Sequence, residues 1–348
     1  MNRWVLHVDL DQFLAAVEVL RHPELDGKPL VVGGDGDPAK RGVVSTASYA
    51  AREQGVHSGM PLRTAAKRCP DCVFLPVDAD AYNAVSAVVM DTLRETGCPV
   101  EVLGWDEAFV GVETDDPEAF ARGLMADVKE ATQLDCSVGI GDNKLQAKIA
   151  TGFGKPAGVF RITSATWFDV LGDRAPDAIW GIGRKTLRKL EALSITTVRQ
   201  LAAADPDQLA GEFGPMTGPW LVLLGRGRGD ADVDPTPYVP RSQGREVTYQ
   251  KNISDWAQVR AEVVRLARLL SSEIPERPVN RVVVKIRYAP FITQTHGASL
   301  RSSGQQALEL GLESGLEAEF EAAALAALAK FEPDRPVRLL GVRAEFAQ

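Results

Sequence analysis

Apolar residues along this chain fall into two rhythms, and the alternation between them is the first structural signal. Residues 4–9 (Trp-Val-Leu-His-Val-Asp) form a short, mostly β-branched apolar run ending in an acid, which predicts a buried strand. Phe13, Leu14, Val17 and Leu20 recur at helical spacing, and residues 29–32 predict a second strand. Residues 33–38 (Gly-Gly-Asp-Gly-Asp-Pro) read as a loop by composition. An extended piece at 43–46 precedes helical patterns at 47–54 and 62–68, the latter with Pro61 near its first turn. Helices are predicted over 82–96, 117–132 and 144–151, and strands over 100–105, 108–112 and 136–140. This order predicts a sheet with helices packed on one side.

Past residue 160 the texture changes. Residues 167–225 carry short helical patterns punctuated by Gly181, Gly183, Gly211, Gly214 and Gly218. Residues 230–240 hold three prolines and three aspartates, with Val233, Tyr238 and Val239 nearly the only apolar side chains, and read as an extended linker. A helix at 259–270, an alternating strand at 280–288, an alanine-rich helix at 316–330 and a strand at 337–346 predict a separate small α/β domain.

A length of 348 residues supports two to three domains. With 45% hydrophobic and 25% charged residues the chain is globular, not disordered. No apolar run is long enough to span a bilayer, the first residues lack the layout of a secretory signal, and four cysteines exclude a disulfide-dense scaffold. A reducing cytoplasm is therefore the expected compartment. The formal charge of −8 argues at face value against a nucleic-acid partner. Residues 241–301, however, carry eleven Lys/Arg against five Asp/Glu, a local balance of +6. Arg281, Val283, Lys285 and Arg287 alternate along one predicted strand, so the basic side chains share a face at a spacing of roughly 7 Å, near that of phosphates on one DNA strand. The acidic surplus is expected on outer helices such as 309–321.

Asp9, Asp106 and Glu107 lie where predicted strands end or turn. A carboxylate at the lip of an apolar strand is costly to bury unpaired, and several brought together need a hard cation such as magnesium. Two such ions would suit in-line phosphoryl displacement. Acidic residues are also common at hairpin tips, and that plainer reading stays open for Asp106-Glu107. Tyr49 and Arg52 share a helical face, and Lys155 sits in a Gly-Lys-Pro-Ala-Gly turn, a set suited to a triphosphate. Cys69 and Cys72 have a spacing that could hold zinc only with two further ligands, so a structural or incidental role is favoured.

The ordered blocks then carry a resemblance. Val-Asp-Leu-Asp-Gln-Phe-Leu-Ala-Ala-Val-Glu at 8–18 resembles the opening signature of the Y-family DNA polymerases, in their DinB or polymerase IV branch. Ser-Thr-Ala-Ser-Tyr-Ala-Ala-Arg at 45–52, Gly-Met-Pro at 59–61, Cys-Pro at 69–70, Trp-Asp-Glu-Ala at 105–108, Gly-Ile-Gly-Asp-Asn-Lys at 139–144, Ala-Lys-Ile-Ala at 147–150, Lys155-Pro156 and Gly181-Ile-Gly183 follow in the family's order. The resemblance spans the chain. It implies a multidomain α+β fold, a right-hand polymerase with a ferredoxin-like palm (1–11 and 77–166), small fingers (12–76), a helical thumb with a helix-hairpin-helix (167–232), a linker (233–242) and an α/β little finger (243–348).

By the same resemblance, Asp9, Asp106 and Glu107, with the backbone carbonyl of Leu10, hold two Mg2+, for which Mn2+ can substitute. Gln12, Phe13, Leu14, Thr46, Tyr49, Arg52 and Lys155 contact the incoming nucleotide. Gly181, Gly183, Lys185, Arg281, Lys285 and Arg287 contact primer-template DNA. Relatives usually place an aromatic ring where this chain has Leu14, and that ring collides with a 2′-hydroxyl. Leu14 therefore predicts weak discrimination between dNTPs and rNTPs. Small residues (Ser45, Ser58, Gly59) near the nascent pair imply a permissive site and low fidelity. Gly104-Trp105 departs from the family's usual serine before the aspartate, with core filling as the default role for Trp105. The expected function is error-prone, template-directed lesion bypass by a monomer. A non-catalytic adapter of the same fold is the alternative, and nucleotide cyclisation leaves the basic thumb and terminal domain without a purpose. No clamp-binding peptide follows the last strand, so weak sliding-clamp engagement is expected.

Overall fold

A computed structural model describes residues 1–275, 277–300 and 313–347. The chain divides into two compact units, Met1–Pro38 with Gly42–Pro237, and Ala39–Arg41 with Tyr238–Gln348. Among the described residues no helix is long and apolar enough to cross a membrane.

The first unit opens with β1 (Asn2–Leu10). A small sheet follows, ordered β3-β2-β4, from β2 (Leu30–Val32), β3 (Thr46–Ala47) and β4 (Val73–Leu75). Its sulfur pair, Cys69 and Cys72, is a disulfide joining the end of the helix Leu62–Arg68 to the start of β4. β5 (Val100–Val102), β6 (Glu107–Thr114), β7 (Cys136–Gly141) and β8 (Val159–Ile162) complete a five-stranded sheet ordered β5-β6-β1-β7-β8. β1 runs antiparallel to both neighbours, with Asp9 opposite Glu107 on one side and Ser137 on the other.

This sheet is covered on both faces, not one. Leu6, Val8 and Leu10 pack with Val89, Leu93, Leu124 and Val128 from the helices Ala79–Glu95 and Pro117–Thr132. Val5 and Phe109, on the opposite face, pack with Ala147 of the helix Lys144–Gly154. Two glycines that hydropathy does not weigh admit that helix: Gly139 and Gly141 lie opposite His7 and Val5. A Cβ at Gly139 would lie 2.0 Å from the Ala147 carbonyl oxygen and 2.3 Å from the Thr151 nitrogen, so the backbones touch. Gly139→Ala is expected to destabilise the unit by about 3 kcal/mol, the upper end of overpacking costs. Urea unfolding measures it, and a loss below about 1 kcal/mol would mean the helix moves freely.

Helices Trp167–Leu171, Arg184–Ala192, Val198–Ala203, Pro206–Phe213 and Thr217–Gly225 gather around Trp167, Leu190, Leu201, Leu209 and Leu221. The Trp167 indole N–H donates to the Gly225 carbonyl at 2.8 Å. The stretch expected as a free linker is anchored as far as Pro237. Val233 is 8% exposed, seated among Val5, Phe109 and Ala147 and against Gly111. Asp230 pairs with Lys144 at 3.0 Å and Asp232 with Arg3 at 2.9 Å. The Asp234 amide also donates to Glu101 at 2.9 Å, so polar anchors dock a segment that composition reads as an extended linker.

The second unit is an antiparallel sheet ordered β11-β10-β12-β9, from β9 (Ser242–Ile253), β10 (Val279–Tyr288), β11 (Ile292–Ser299) and β12 (Val337–Phe346). Helices Trp256–Glu273 and Glu313–Leu328 pack on one face through Leu266, Phe320, Val282, Val284 and Ile286. β9 and β11 are absent from the sequence expectation because both edge strands are mostly polar and exposed, leaving no apolar alternation to read. Of the acidic stretch expected at 309–321, residues 309–312 lie outside the described residues. Glu317 and Glu321 pair with Arg268.

Candidate active site

The register of β1 against β6 builds the acidic centre. Asp9 faces its strand partner Glu107, and the Leu10 amide donates to the Asp106 carbonyl at 2.8 Å, fixing the turn that presents Asp106. His7, two residues before Asp9, shares its face. Ligand atoms of His7, Asp9 and Glu107 all lie within 4.8 Å of one another, and the Asp106 carboxyl is close enough to feel the charges of Asp9 and Glu107. Burial, then the charges of Asp9 and Glu107, pushes the Asp106 carboxyl above its ordinary value. The hairpin-tip reading fails to account for this convergence.

Two ammonium groups lie against the acids. Lys155 contacts the Asp9 carboxylate, and Lys148 contacts Glu107 while standing 3.2 Å from His7 Nε2. The His7 contact and the Lys148 ammonium hold the Glu107 carboxyl down at about 2. Burial lowers the His7 imidazole from its ordinary value, so the ring is neutral at pH 7 and the compensating charge comes from Lys148. Lys155, expected at a triphosphate, is thus seen paired with Asp9.

The neighbouring positions are tied together by Asp11, which is 4% exposed. It accepts from the Tyr49 hydroxyl at 2.5 Å, the Ser137 hydroxyl at 3.0 Å and the Ala157 amide at 2.8 Å. Burial and the Asp11 hydrogen bond raise the Tyr49 hydroxyl well above its ordinary value. Gln12, in the left-handed region at φ 46°, accepts from the Tyr49 amide at 2.6 Å. The Arg52 guanidinium lies 5.2 Å over the Tyr49 ring and donates to the Ala47 carbonyl, one residue from Thr46. Tyr49, Arg52, Gln12 and Lys155 therefore surround one corner of the acidic centre through Asp9 and Asp11. Phe13 and Leu14 begin the helix Phe13–Arg21, and Leu14 is 6% exposed. Trp105 does not fill the core: it is 38% exposed in the turn before β6, with its ring against that of Tyr82, centroids 6.2 Å apart.

A cavity of about 600 Å³ opens beside the acids, lined by His7, Asp9, Lys148, Lys155, Arg174 and Trp180. Gly181 follows Trp180 at φ +96°, and Gly183 caps the helix Arg184–Ala192, whose Lys185 is exposed. In the second unit Arg281, Lys285 and Arg287 do share the open face of β10, but they are not free. Arg281 lies 4.0 Å from Glu345, Lys285 bonds Glu246 at 2.8 Å, and Arg287 donates to the Thr293 hydroxyl. The register explains it, since Lys285, Gly341 and Glu246 line up across three strands.

Sequence reasoning missed Lys148, Asp11, Ser137 and Thr151. Lys148 and Lys155 are seven apart, two helical turns, and that spacing could have placed both on one face. Asp11 follows Asp9 by two, but its burial could not be foreseen.

Comparisons with known proteins agree along the chain. The profile of the impB/mucB/samB family matches residues 8–152, and that of the family's C-terminal domain matches residues 240–346. DNA polymerase IV 2 of Mycobacterium tuberculosis is 48% identical, covering 99% of this chain and 98% of the relative. DNA polymerase IV of Methanoculleus marisnigri is 35% identical over 98% and 94%. Among solved structures, a Y-family DNA polymerase chimera superposes with a TM-score of 0.83 at 26% identity, covering 98% of each chain. An insertion ternary complex of Dbh DNA polymerase gives 0.66 at 26% identity, covering 99% of this chain and 98% of that one.

Proposed function

Because this chain belongs to the impB/mucB/samB family, the Y-family DNA polymerases, we propose that its acidic centre extends a primer by two-metal phosphoryl transfer with little selection against ribonucleotides. The protein is a DNA-directed DNA polymerase of the error-prone, lesion-bypass type. Its substrates are primer-template DNA and dNTPs.

The observation carrying the mechanism is the convergence of Asp9, Asp106 and Glu107 at the paired ends of β1 and β6, two interior strands of the sheet, with Lys148 and Lys155 held against the carboxylates. That donor set, carboxylate oxygens already neutralised by ammonium groups, fits hard divalent cations. Asp9, Asp106, Glu107 and the Leu10 carbonyl would hold two Mg2+, or Mn2+ in their place. Bound there, the ions supply charge neutralisation and a more acidic primer hydroxyl. The protein's part is positioning. Lys155, released from Asp9, turns to the triphosphate with Thr46, Tyr49 and Arg52. Asp11 holds the Tyr49 hydroxyl and Gln12 the Tyr49 amide in place for that contact. Backbone amides at Gly181 and Gly183 and the start of the following helix meet a DNA phosphate, with Lys185 adding charge. The sheet of β1 and β5–β8 serves as palm, residues 12–76 as fingers, 167–232 as thumb and 243–348 as little finger.

The test is primer extension on a defined template with each dNTP and rNTP, with and without divalent metal. Absence of extension under all conditions would favour the adapter reading. On the second unit, Glu246→Gln removes the acid that holds Lys285 and should raise DNA affinity about threefold while steepening the salt slope by about one charge. Fluorescence anisotropy from 50 to 200 mM salt measures both. An unchanged slope would remove Lys285 from the DNA-contact set.

A further inference from the structure

We infer that Trp180 is a primer-contact residue, whose indole supports a sugar of the primer strand between the acids and the turn at Gly181. The inference rests on the polymerase reading above and adds to it a side chain which that reading does not use.

The local chain dictates where the indole is presented. Ile179 and Ile182 are buried, and the Ile182 amide donates to the Ile179 carbonyl at 3.1 Å. Trp180 and Gly181 are therefore the two corner residues of a tight turn pinned by an isoleucine at each end. The φ of +96° at Gly181 is what such a turn demands at its third position. The Trp220 ring braces the corner, since a Cβ at Gly181 would lie 3.5 Å from it. On this fixed backbone the Trp180 side chain stays 54% exposed. Isolated surface hydrophobics are common, so exposure alone carries little, and its neighbours carry the argument.

The Lys148 ammonium lies 5.3 Å from the indole centroid and also contacts Glu107, which ties the ring to the acidic centre. The same ring lines the cavity of about 600 Å³ together with Asp9, Lys155, Arg174 and Phe153. Cations around an aromatic wall match a nucleotide strand, whose phosphates are anionic and whose sugars and bases offer apolar faces. On the reading above, the primer's 3′-hydroxyl meets the acids and one of its phosphates meets the Gly181 and Gly183 amides. Trp180 adjoins both ends of that path: it precedes Gly181, and its ring meets the lysine held on Glu107. Bases of a primer are stacked and paired with the template. The face left for the indole is the sugar's, a contact that positions the strand without reading sequence.

A cycle between protein and DNA tests this, with primer-template affinity measured by fluorescence anisotropy on the full-length chain without nucleotide. Each of the last three primer nucleotides is replaced in turn by a tetrahydrofuran abasic residue, which keeps the ring, or by a three-carbon spacer, which does not. At one of these positions the native protein should bind the tetrahydrofuran primer about fivefold more tightly than the spacer primer, the lower end of aromatic stacking contacts. Trp180→Ala should bind the unmodified primer about fivefold more weakly and no longer distinguish ring from spacer. Trp180→Phe should restore most of the difference, and both variants should melt with the native protein, because the isoleucines hold the turn. Equal ring-to-spacer ratios in native protein and Trp180→Ala at all three positions would overturn the inference. So would a native protein that loses the affinity when the base alone is removed, which assigns the indole to a base. A native enzyme that extends no primer removes the polymerase reading itself, whereas normal extension with an uncoupled cycle removes only the role of Trp180.

Discussion

Asp106→Ala should lower primer extension by about three orders of magnitude, the scale on which a polar group acting on developing charge is felt. Three observations single out this residue. Among the described residues Asp106 makes no ion pair of the kind Asp9 makes with Lys155 or Glu107 with Lys148. Burial and two neighbouring carboxylates already disfavour its charge, so its negative charge is the one most in need of a divalent partner. Its backbone, through the Leu10 amide, is fixed to the end of β1, so the side chain is lost without moving the turn. DNA affinity, measured in parallel, should stay within about twofold, since contacts to the phosphate backbone set it. Extension at an undiminished rate would sink the two-metal reading.

Leu14→Phe should restore sugar selection. With leucine, incorporation efficiencies for a dNTP and its rNTP should lie within about tenfold, because a steric gate works only by collision. A phenyl ring overlapping the 2′-hydroxyl costs about 3 kcal/mol, the scale of overpacking, which converts to roughly a 100-fold loss for the ribonucleotide alone. Leu14 is itself packed with Phe13 and Val17 in the main core, so thermal melting must accompany the kinetics. Leu14→Met, which keeps the volume, should fold normally and stay permissive. If the native enzyme rejects rNTPs as strongly as Leu14→Phe does, Leu14 is not the gate.

Much of this site was legible in the chain because it rests on local order. The apolar run ending in Asp9 is a strand, Asp106-Glu107 is the turn into the next strand, and Tyr49 and Arg52 do share one helical face. The glycine pair before Arg184 likewise opens a helix as expected. Other features were illegible because they depend on what crosses the strand or helix in space. Nothing local marks Asp11 as buried, because its partners Tyr49, Ser137 and Ala157 come from three separate segments. The basic stripe on β10 is legible, but its pairing is not, because Glu246 and Glu345 sit on strands whose register the pattern does not reveal.

The sequence by itself determined the elements with a clear apolar rhythm, the acidic residues at strand ends and the family, since periodicity and ordered motifs are properties of the chain alone. Tertiary structure decided the charge state around those acids. Only folding places Lys148 and Lys155 on Glu107 and Asp9, closes the Thr151 hydroxyl onto His7 and seats Val233 against Gly111. Electrostatics and packing act through distance in space, and residues 41 or 146 positions apart become neighbours only when the sheet and its covering helix assemble.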